Sequence, residues 1–177
     1  MTKRLTKIGV NPDFQELSSF VHELPTVFET GGKVIYKGRN ELKEFDVEGK
    51  KLIVKSYQLP HLLNRIIYNF FRASKAKRSY SYALMLRKLG IGSPAPVGYY
   101  STGSWLLFGR SYFVCLKSDC PYTYRDFEKT VFPNQEQILR AIARTTAMLH
   151  ENGLLHKDYS AGNILFRTID EKVEVEI

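Results

Sequence analysis

The sequence predicts an α+β fold, because Gly and Pro residues divide it into short strands first and longer helices later. Its 177 residues are 44% hydrophobic and 13% aromatic, which is typical of one globular domain or a two-lobed unit. A chain of this length buries roughly 70% of the surface that it exposes when unfolded, so it needs neither disulfides nor a structural metal. The sequence contains no internal repeat and no low-complexity segment. These features exclude a disordered tail.

Strand patterns come first along the chain. Residues 26–37 (TVFETGGKVIYK) predict two strands joined by a turn at Gly31 and Gly32. Residues 51–57 (KLIVKSY) predict a further short strand, in which apolar residues alternate with others. The first part of the chain is therefore expected to be mainly β.

Two helix patterns follow these strands. Apolar residues recur at three- and four-residue spacing over 62–71, which predicts a helix with one apolar stripe. A second helix is expected at 75–89 and ends at Gly90. Two strands are then predicted at 97–101 and 105–116.

The clearest helix pattern of the chain covers residues 134–151. Asn134 is its predicted N-cap, Gln137 stands three residues on as a capping-box partner, and Gly153 follows its end. The alternation of apolar and polar residues after this helix predicts two short strands, at 164–167 and 173–177.

Basic residues are unevenly distributed along the chain. The net charge is +8, from 26 Lys and Arg against 18 Asp and Glu. Residues 49–118 contain 12 basic side chains and no acidic one, so this block carries +12 and the remainder −4. An anionic substrate, a phosphate-bearing ligand, nucleic acid or an anionic membrane surface would each account for this excess.

Cysteine content and hydropathy indicate the cell compartment. Cys115 and Cys120 are five residues apart and form no CxxC motif, so they predict neither a disulfide framework nor a zinc site. No stretch of the sequence approaches the ~18 apolar residues of a membrane span, and no apolar run follows the charged N-terminus. These observations predict a cytoplasmic protein that is not integral to the membrane.

The segment with the most informative chemistry is 154–166 (LLHKDYSAGNILF), which contains His156, Asp158 and Asn163 in an H-x-D-x4-N spacing. Phosphoryl transfer to a hydroxyl needs a carboxylate that accepts its proton and an oxygen ligand that holds Mg2+. An Asp and an Asn five residues apart on one loop provide both. The alternative is an Asx-rich turn that caps a strand. His156 is expected to support the loop backbone rather than to act as a base.

This segment resembles the catalytic loop of the protein-kinase-like superfamily, and HKDYSAGNIL is most similar to its bacterial lipopolysaccharide core kinases, including the Kdo kinases. The runs LIVKSY, SKAKRSYSYALMLRKLGIGSPAPVGYY and SYFVCLK are also similar to this family and occur in the required order. The resemblance implies an N-terminal extension (1–25), a small β-rich lobe (26–116, with helices at 61–89), and a hinge with the beginning of a helical lobe (117–177, with the catalytic loop at 154–166).

The resemblance also implies an activity, namely transfer of the γ-phosphate of ATP to a sugar hydroxyl of the lipopolysaccharide inner core. The roles that it implies are the base for Asp158, the Mg2+ ligand for Asn163, the phosphate anchor for Lys55, and a phosphate-covering turn for Gly31 and Gly32. The residues by themselves support only phosphoryl transfer. A small-molecule kinase of the aminoglycoside-phosphotransferase type shares this loop and is an alternative.

Two departures from the family pattern keep a pseudokinase or a fragment as a further alternative. The family has a glutamate that pairs with the lysine, and the aligned residue here is Ser81. Lys55 would therefore either bind phosphate without a pre-set partner or borrow Asp46 or Glu48. In the family, the strand that matches the last residues up to Ile177 leads into a second metal-binding aspartate. The chain is therefore expected to be a truncated kinase that is inactive or nearly so, unless the missing part is supplied elsewhere. The alternative is a pseudokinase or fragment that acts as a module binding nucleotide or anionic lipid.

The acid-free block has two interpretations. Five basic residues beside the apolar stripe can form a positive rim for an anionic glycolipid at the inner membrane: Arg65, Arg72, Lys75, Lys77 and Arg78. Each such charge contributes about 1 kcal/mol near anionic lipid. Alternatively, the stripe is core packing and the basic residues are its solvated face. Nucleic acid is not expected as a partner, because the Tyr and Phe residues lie in patterns that bury them.

Overall fold

The computed structural model describes residues 5–57, 73–103, 108–170 and 172–177. The chain divides into two compact units: the first is Met1–Leu84 with Ala95–Lys117, and the second is Met85–Pro94 with Ser118–Ile177. The predicted helix at 62–71 lies outside the described residues, as do Arg65 and Arg72 of the predicted basic rim.

A six-stranded antiparallel sheet forms the centre of the first unit. Its strands are β1 (Leu5–Val10), β2 (Lys33–Lys37), β3 (Asn40–Val47), β4 (Lys50–Tyr57), β5 (Pro96–Gly103) and β6 (Phe108–Leu116). Their spatial order is β1-β5-β6-β4-β3-β2. The predicted strands at β2, β4, β5 and β6 are confirmed. β1 and β3 have no predicted counterpart, because charged residues interrupt their apolar patterns.

Helical segments of the first unit precede β2 and β5. They are a 3-10 helix (Pro12–Leu17), α1 (Ser18–His22), α2 (Leu24–Thr30) and α3 (Lys75–Lys88), whose last residues belong to the second unit. The predicted helix at 75–89 is confirmed by α3. It ends before Gly90, which has a φ of +72° that favours glycine.

The helices α1 and α2 bury apolar residues against one face of the sheet. Leu17, Val21, Leu24 and Phe28 form a single core with residues of β4, β5 and β6. The predicted strand at 26–30 is therefore wrong, since these residues belong to α2. In α2 the buried residues Leu24 and Phe28 are four positions apart and lie on one helix face, and Pro25 is tolerated in the first turn of this helix. Residues 5–25 thus contribute a strand and buried helices to this unit.

The second unit combines two helices with a small sheet. Its elements are β7 (Tyr122–Thr123), α4 (Tyr124–Phe127), α5 (Gln135–Glu151), β8 (Leu165–Ile169) and β9 (Lys172–Glu176). The strands pair antiparallel in the order β7-β8-β9. The predicted helix at 134–151 and the two strands after it are confirmed. In the described ranges, no helix combines the length and apolar content that a membrane crossing requires.

The predicted cap of α5 differs from the observed one. Asn134 precedes the helix but makes no side-chain cap bond, and its Nδ2 instead donates to the Thr168 hydroxyl at 3.2 Å. A capping box does occur at α4, where the Thr123 N–H and hydroxyl both donate to Asp126. These bonds from the N–H and the hydroxyl lower the pKa of the Asp126 carboxyl.

Gly92 packs without a side chain against β9. Its carbonyl accepts the N–H of Ile177 at 3.0 Å, and a Cβ at Gly92 would collide with the Val175 carbonyl oxygen. A backbone obstacle cannot rotate away, so we expect Gly92→Ala to lower the free energy of unfolding by about 1–3 kcal/mol. Gly31→Ala is the control, because its Cβ would make only ordinary contacts at 3.5 and 3.8 Å. Chemical denaturation measures both variants, and equal stabilities would contradict this packing.

Candidate active site

The predicted catalytic loop connects α5 to β8 in the second unit. Its downstream anchors, Ile164 and Phe166, are buried in the core of that unit. On its upstream side Leu154 packs beside Leu149, but Leu155 is 75% exposed. Leu155 is therefore not an anchor of the loop. The loop is fixed by one leucine before it and by two buried residues after it.

Asp158 and Asn163 are joined by a hydrogen bond across the loop. Asn163 Nδ2 donates to the Asp158 main-chain carbonyl at 2.9 Å, and Ser160 N donates to the same carbonyl at 2.9 Å. Asn163 N closes the turn by donating to the Ser160 carbonyl at 2.8 Å. Because the main chain of Asp158 makes these bonds, its exposed carboxylate does not act as the cap of an Asx turn within the described residues. Among the described residues the carboxylate forms no ion pair.

His156 and Tyr159 connect the loop to α5. The two rings meet edge to face, with centroids 5.9 Å apart. The Tyr159 hydroxyl shares a 2.7 Å hydrogen bond with the Thr146 hydroxyl of α5. The buried His156 Nδ1 has no hydrogen-bond partner among the described residues. Tyr159 has no counterpart among the predicted site residues, because its contact with α5 spans 13 positions and no local motif signals it.

The short helix α4 holds the other side of the loop. Tyr124 N donates to the Ile164 carbonyl at 2.8 Å, and Arg125 N donates to the Ala161 carbonyl at 3.1 Å. The Arg125 guanidinium covers Gly162, since its Nη2 lies 3.3 Å from the position of a Cβ there. Arg125 was missed by the sequence argument, because α4 lies some 35 residues upstream of the loop along the chain.

Lys55 lies in the first unit, on the sheet face opposite α1 and α2. Its neighbour Val54 is fully buried under those helices, so alternation along β4 directs Lys55 to the other face. Lys55 Nζ lies 5.6 Å from the ring centre of Tyr57. The expectation that Asp46 or Glu48 pairs with Lys55 is wrong. Register places Asp46 opposite Lys51, and Glu48 lies in the turn between β3 and β4.

Gly31 and Gly32 do not join two strands, contrary to the predicted hairpin. Gly31 follows α2 and donates its N–H to the Val27 carbonyl at 3.0 Å. Gly32 has a φ of +81°, and a Cβ there would meet the ring of Phe45. The helix end and this ring account for both glycines. The turn that joins β2 to β3 consists of Gly38 and Arg39.

Basic side chains from that turn and from α3 gather near Lys55. The pKa of Lys75 is lowered, first by loss of solvent and then by the positive charges of Arg39, Arg78 and Lys55. Ser81, the residue aligned with the family's glutamate, is exposed. The contact from α3 to β4 is instead made at Ser79, whose hydroxyl shares a 2.7 Å hydrogen bond with the Tyr57 hydroxyl.

A cavity of about 460 Å³ lies on the other face of the sheet. Lys43, Ser56 and Tyr112 line it, and they alternate with the residues of the Lys55 face. At the end of the strands its lining reaches Arg39, Glu41 and Tyr57. Two of its cations have partners: Arg110 pairs with Glu29, and Lys43 Nζ donates to the Phe28 carbonyl at 2.6 Å. None of the sequence-predicted site residues lines this cavity.

The loop offers an oxygen donor of the kind that Mg2+ prefers. Asn163 uses its amide nitrogen in the bond to Asp158, which leaves the amide oxygen for a cation. Asn163 therefore fits the role of an oxygen ligand. No group of three His, Cys, Asp or Glu side chains that could hold a metal occurs in the described ranges.

No protein-family model matches the chain, and no curated protein matches it. Solved structures do match, and they define a protein-kinase-like fold, so the predicted fold class is confirmed. A structure of WaaP in complex with acyl carrier protein has a TM-score of 0.65 at 17% identity, covering 97% of this chain and 69% of that one. A structure of the aminoglycoside phosphotransferase APH(4)-Ia has a TM-score of 0.43 at 11% identity, covering 88% and 69%.

Proposed function

We propose that the protein transfers the γ-phosphate of ATP to a sugar hydroxyl of the lipopolysaccharide inner core. The observation that carries this proposal is the loop in which Asn163 bonds to the main chain of Asp158 and leaves the carboxylate free. A carboxylate for the acceptor hydroxyl and an amide oxygen for Mg2+, both on one loop, are the groups that phosphoryl transfer to an alcohol requires. The protein-kinase-like fold, shared with WaaP, supports the same class of reaction.

The proposal assigns a role to each site residue. Asp158 orients the acceptor hydroxyl and takes its proton. Asn163 contributes an oxygen ligand to Mg2+, which when bound neutralises charge on the transferring phosphoryl group. Lys55 binds the phosphates of the nucleotide, and Gly38 with Arg39 forms the covering turn in place of the predicted Gly31 and Gly32. His156 supports the loop through Tyr159.

The acceptor is proposed to be an anionic glycolipid presented at the cytoplasmic face of a bacterial inner membrane. The sequence resemblance to lipopolysaccharide core kinases and the structural similarity to WaaP both support this acceptor class. The exposed Lys77 at the start of α3 is suited to peripheral contact with anionic lipid.

A nucleotide-binding module without catalysis is the second candidate. It is favoured by one observation: Lys55 forms no ion pair with a carboxylate of the described residues. The lysine of an active kinase is positioned by such a pair. Binding without turnover would therefore favour this candidate.

Product formation with defined acceptors tests the proposal. The 177-residue protein is incubated with ATP, Mg2+ and either the inner-core glycolipid or an aminoglycoside, and products are identified by mass spectrometry. We expect a mass increase of one phosphoryl group on the glycolipid only. Phosphorylation of the aminoglycoside alone would identify a small-molecule kinase. Nucleotide binding with no product from either acceptor would contradict the proposal and support the binding module.

A further inference from the structure

Tyr57 is the point at which three elements of the first unit meet. Its hydroxyl bonds to Ser79 of α3, directly after Arg78. Its ring lies 5.6 Å from Lys55 Nζ. Its partner across the sheet is Asn40, the residue after Arg39. The geometry therefore gathers cations from β4, from α3 and from the β2–β3 turn around one tyrosine.

Together with Lys75, these side chains make a cluster of four cations, which we call the basic cluster: Arg39, Lys55, Lys75 and Arg78. None of the four forms an ion pair in the part of the chain that is described. The Arg78 Nε is buried and has no hydrogen-bond partner there. A buried, unpaired guanidinium N–H is costly unless an acceptor completes it.

The nearby carboxylates do not serve the basic cluster. Glu44 lies on the same face of β3 but bonds to Lys117 at 2.8 Å, and Lys117 is the main cause of its lowered pKa. Glu41 lies on the opposite face, since its neighbour Leu42 is the residue paired with Lys55. Within the described ranges, neither carboxylate forms an ion pair with the basic cluster, which leaves the cluster open to an anionic ligand.

We infer that the basic cluster binds the phosphates of the nucleotide directly, so that ATP binds without a divalent cation. This inference rests on the proposed function and deepens it. Arginine and lysine form short, charge-assisted hydrogen bonds to phosphate oxygens. In a site with acidic residues, Mg2+ links those residues to the phosphates. Here the cluster itself neutralises the phosphates, so Mg2+ is required for the transfer step at the loop and not for binding.

Calorimetry in excess EDTA tests the inference, with ATP, tripolyphosphate and adenosine as probes. We expect ATP and tripolyphosphate to bind and adenosine to bind at least tenfold more weakly, because the phosphates carry the interaction. Arg78→Gln and Lys75→Gln, the latter at an exposed position, should each lower the affinity for ATP by about tenfold. Lys88→Gln, at the other end of α3, removes the same charge and should change the affinity by less than about twofold.

The outcomes separate the inference from the proposed function. If ATP binds in Mg2+ but not in EDTA, the inference fails and the proposed function stands. If no nucleotide binds in either condition, the proposed function fails as well. Phosphatidylglycerol vesicles that displace ATP from the cluster would overturn its assignment to nucleotide, whereas retention of ATP in their presence supports it. Arg78→Glu should abolish binding in EDTA, because it places a carboxylate in the basic cluster.

Discussion

Replacing Asp158 by Asn is expected to lower the kcat of phosphoryl transfer by about 10²–10⁴-fold, the usual contribution of a general base. A carboxamide has the size of a carboxylate but does not accept the proton of the acceptor hydroxyl. The loop itself should be retained, since Asn163 and Ser160 bond to the main-chain carbonyl of Asp158 and not to its carboxylate. The affinity for ATP should change little, because the basic cluster lies in the first unit.

The matched control for this variant is Asp170→Asn. Asp170 is exposed in the same unit, between β8 and β9, and its φ of +45° is one that asparagine readily adopts. The substitution Asp170→Asn removes the same charge as Asp158→Asn and leaves the catalytic loop unchanged. Initial rates at saturating ATP compare the two variants, and thermal unfolding checks that both fold. A kcat for Asp158→Asn equal to that of the control would remove Asp158 from the role of base.

The catalytic loop could be predicted because its information is local. His156, Asp158 and Asn163 stand within eight residues between the helix α5 and the strand β8, and the hydrogen bond from Asn163 to Asp158 spans five positions. The strand of Lys55 was equally accessible, since its alternation places Val54 in the core and Lys55 on the other face. Short-range patterns of this kind predict structure without knowledge of distant partners.

The surroundings of Lys55 could not be predicted in the same way. Two adjacent glycines suggested a hairpin turn at Gly31 and Gly32, but the buried spacing of the preceding residues makes that segment a helix. Arg39 approaches Lys75 through sheet pairing and helix packing that link distant parts of the chain. No local pattern encodes such contacts.

The structure brings three basic residues of the acid-free block, residues 49–118, together in the basic cluster. Three members of the basic cluster, Lys55, Lys75 and Arg78, belong to residues 49–118, and Arg39 joins them from outside the block. Acidic residues inside this block would compete with a phosphate for these cations. The composition therefore predicted an anionic partner, whereas the position of the basic cluster and its fourth residue, Arg39, depended on the fold.

Replacing Phe166 by Ala is expected to lower the free energy of unfolding of the second unit by about 3–5 kcal/mol. Phe166 is fully buried, and its ring meets Tyr122, Phe127 and Phe132 at centroid distances of 5.6, 6.3 and 5.4 Å. Truncation removes the apolar transfer energy, leaves a cavity, and breaks three aromatic contacts at once.

The neighbouring surface supplies the control for Phe166→Ala. Val131→Ala removes apolar atoms from a side chain that is 86% exposed, so its stability should change by less than about 0.5 kcal/mol. Phe166→Leu keeps most of the buried volume and should lose less than Phe166→Ala, which preserves the test if the alanine variant does not fold. Denaturant unfolding monitored by tyrosine fluorescence ranks the three variants. If Phe166→Leu were as stable as the wild type and Val131→Ala were the least stable of the three variants, the aromatic core that anchors the loop would be contradicted.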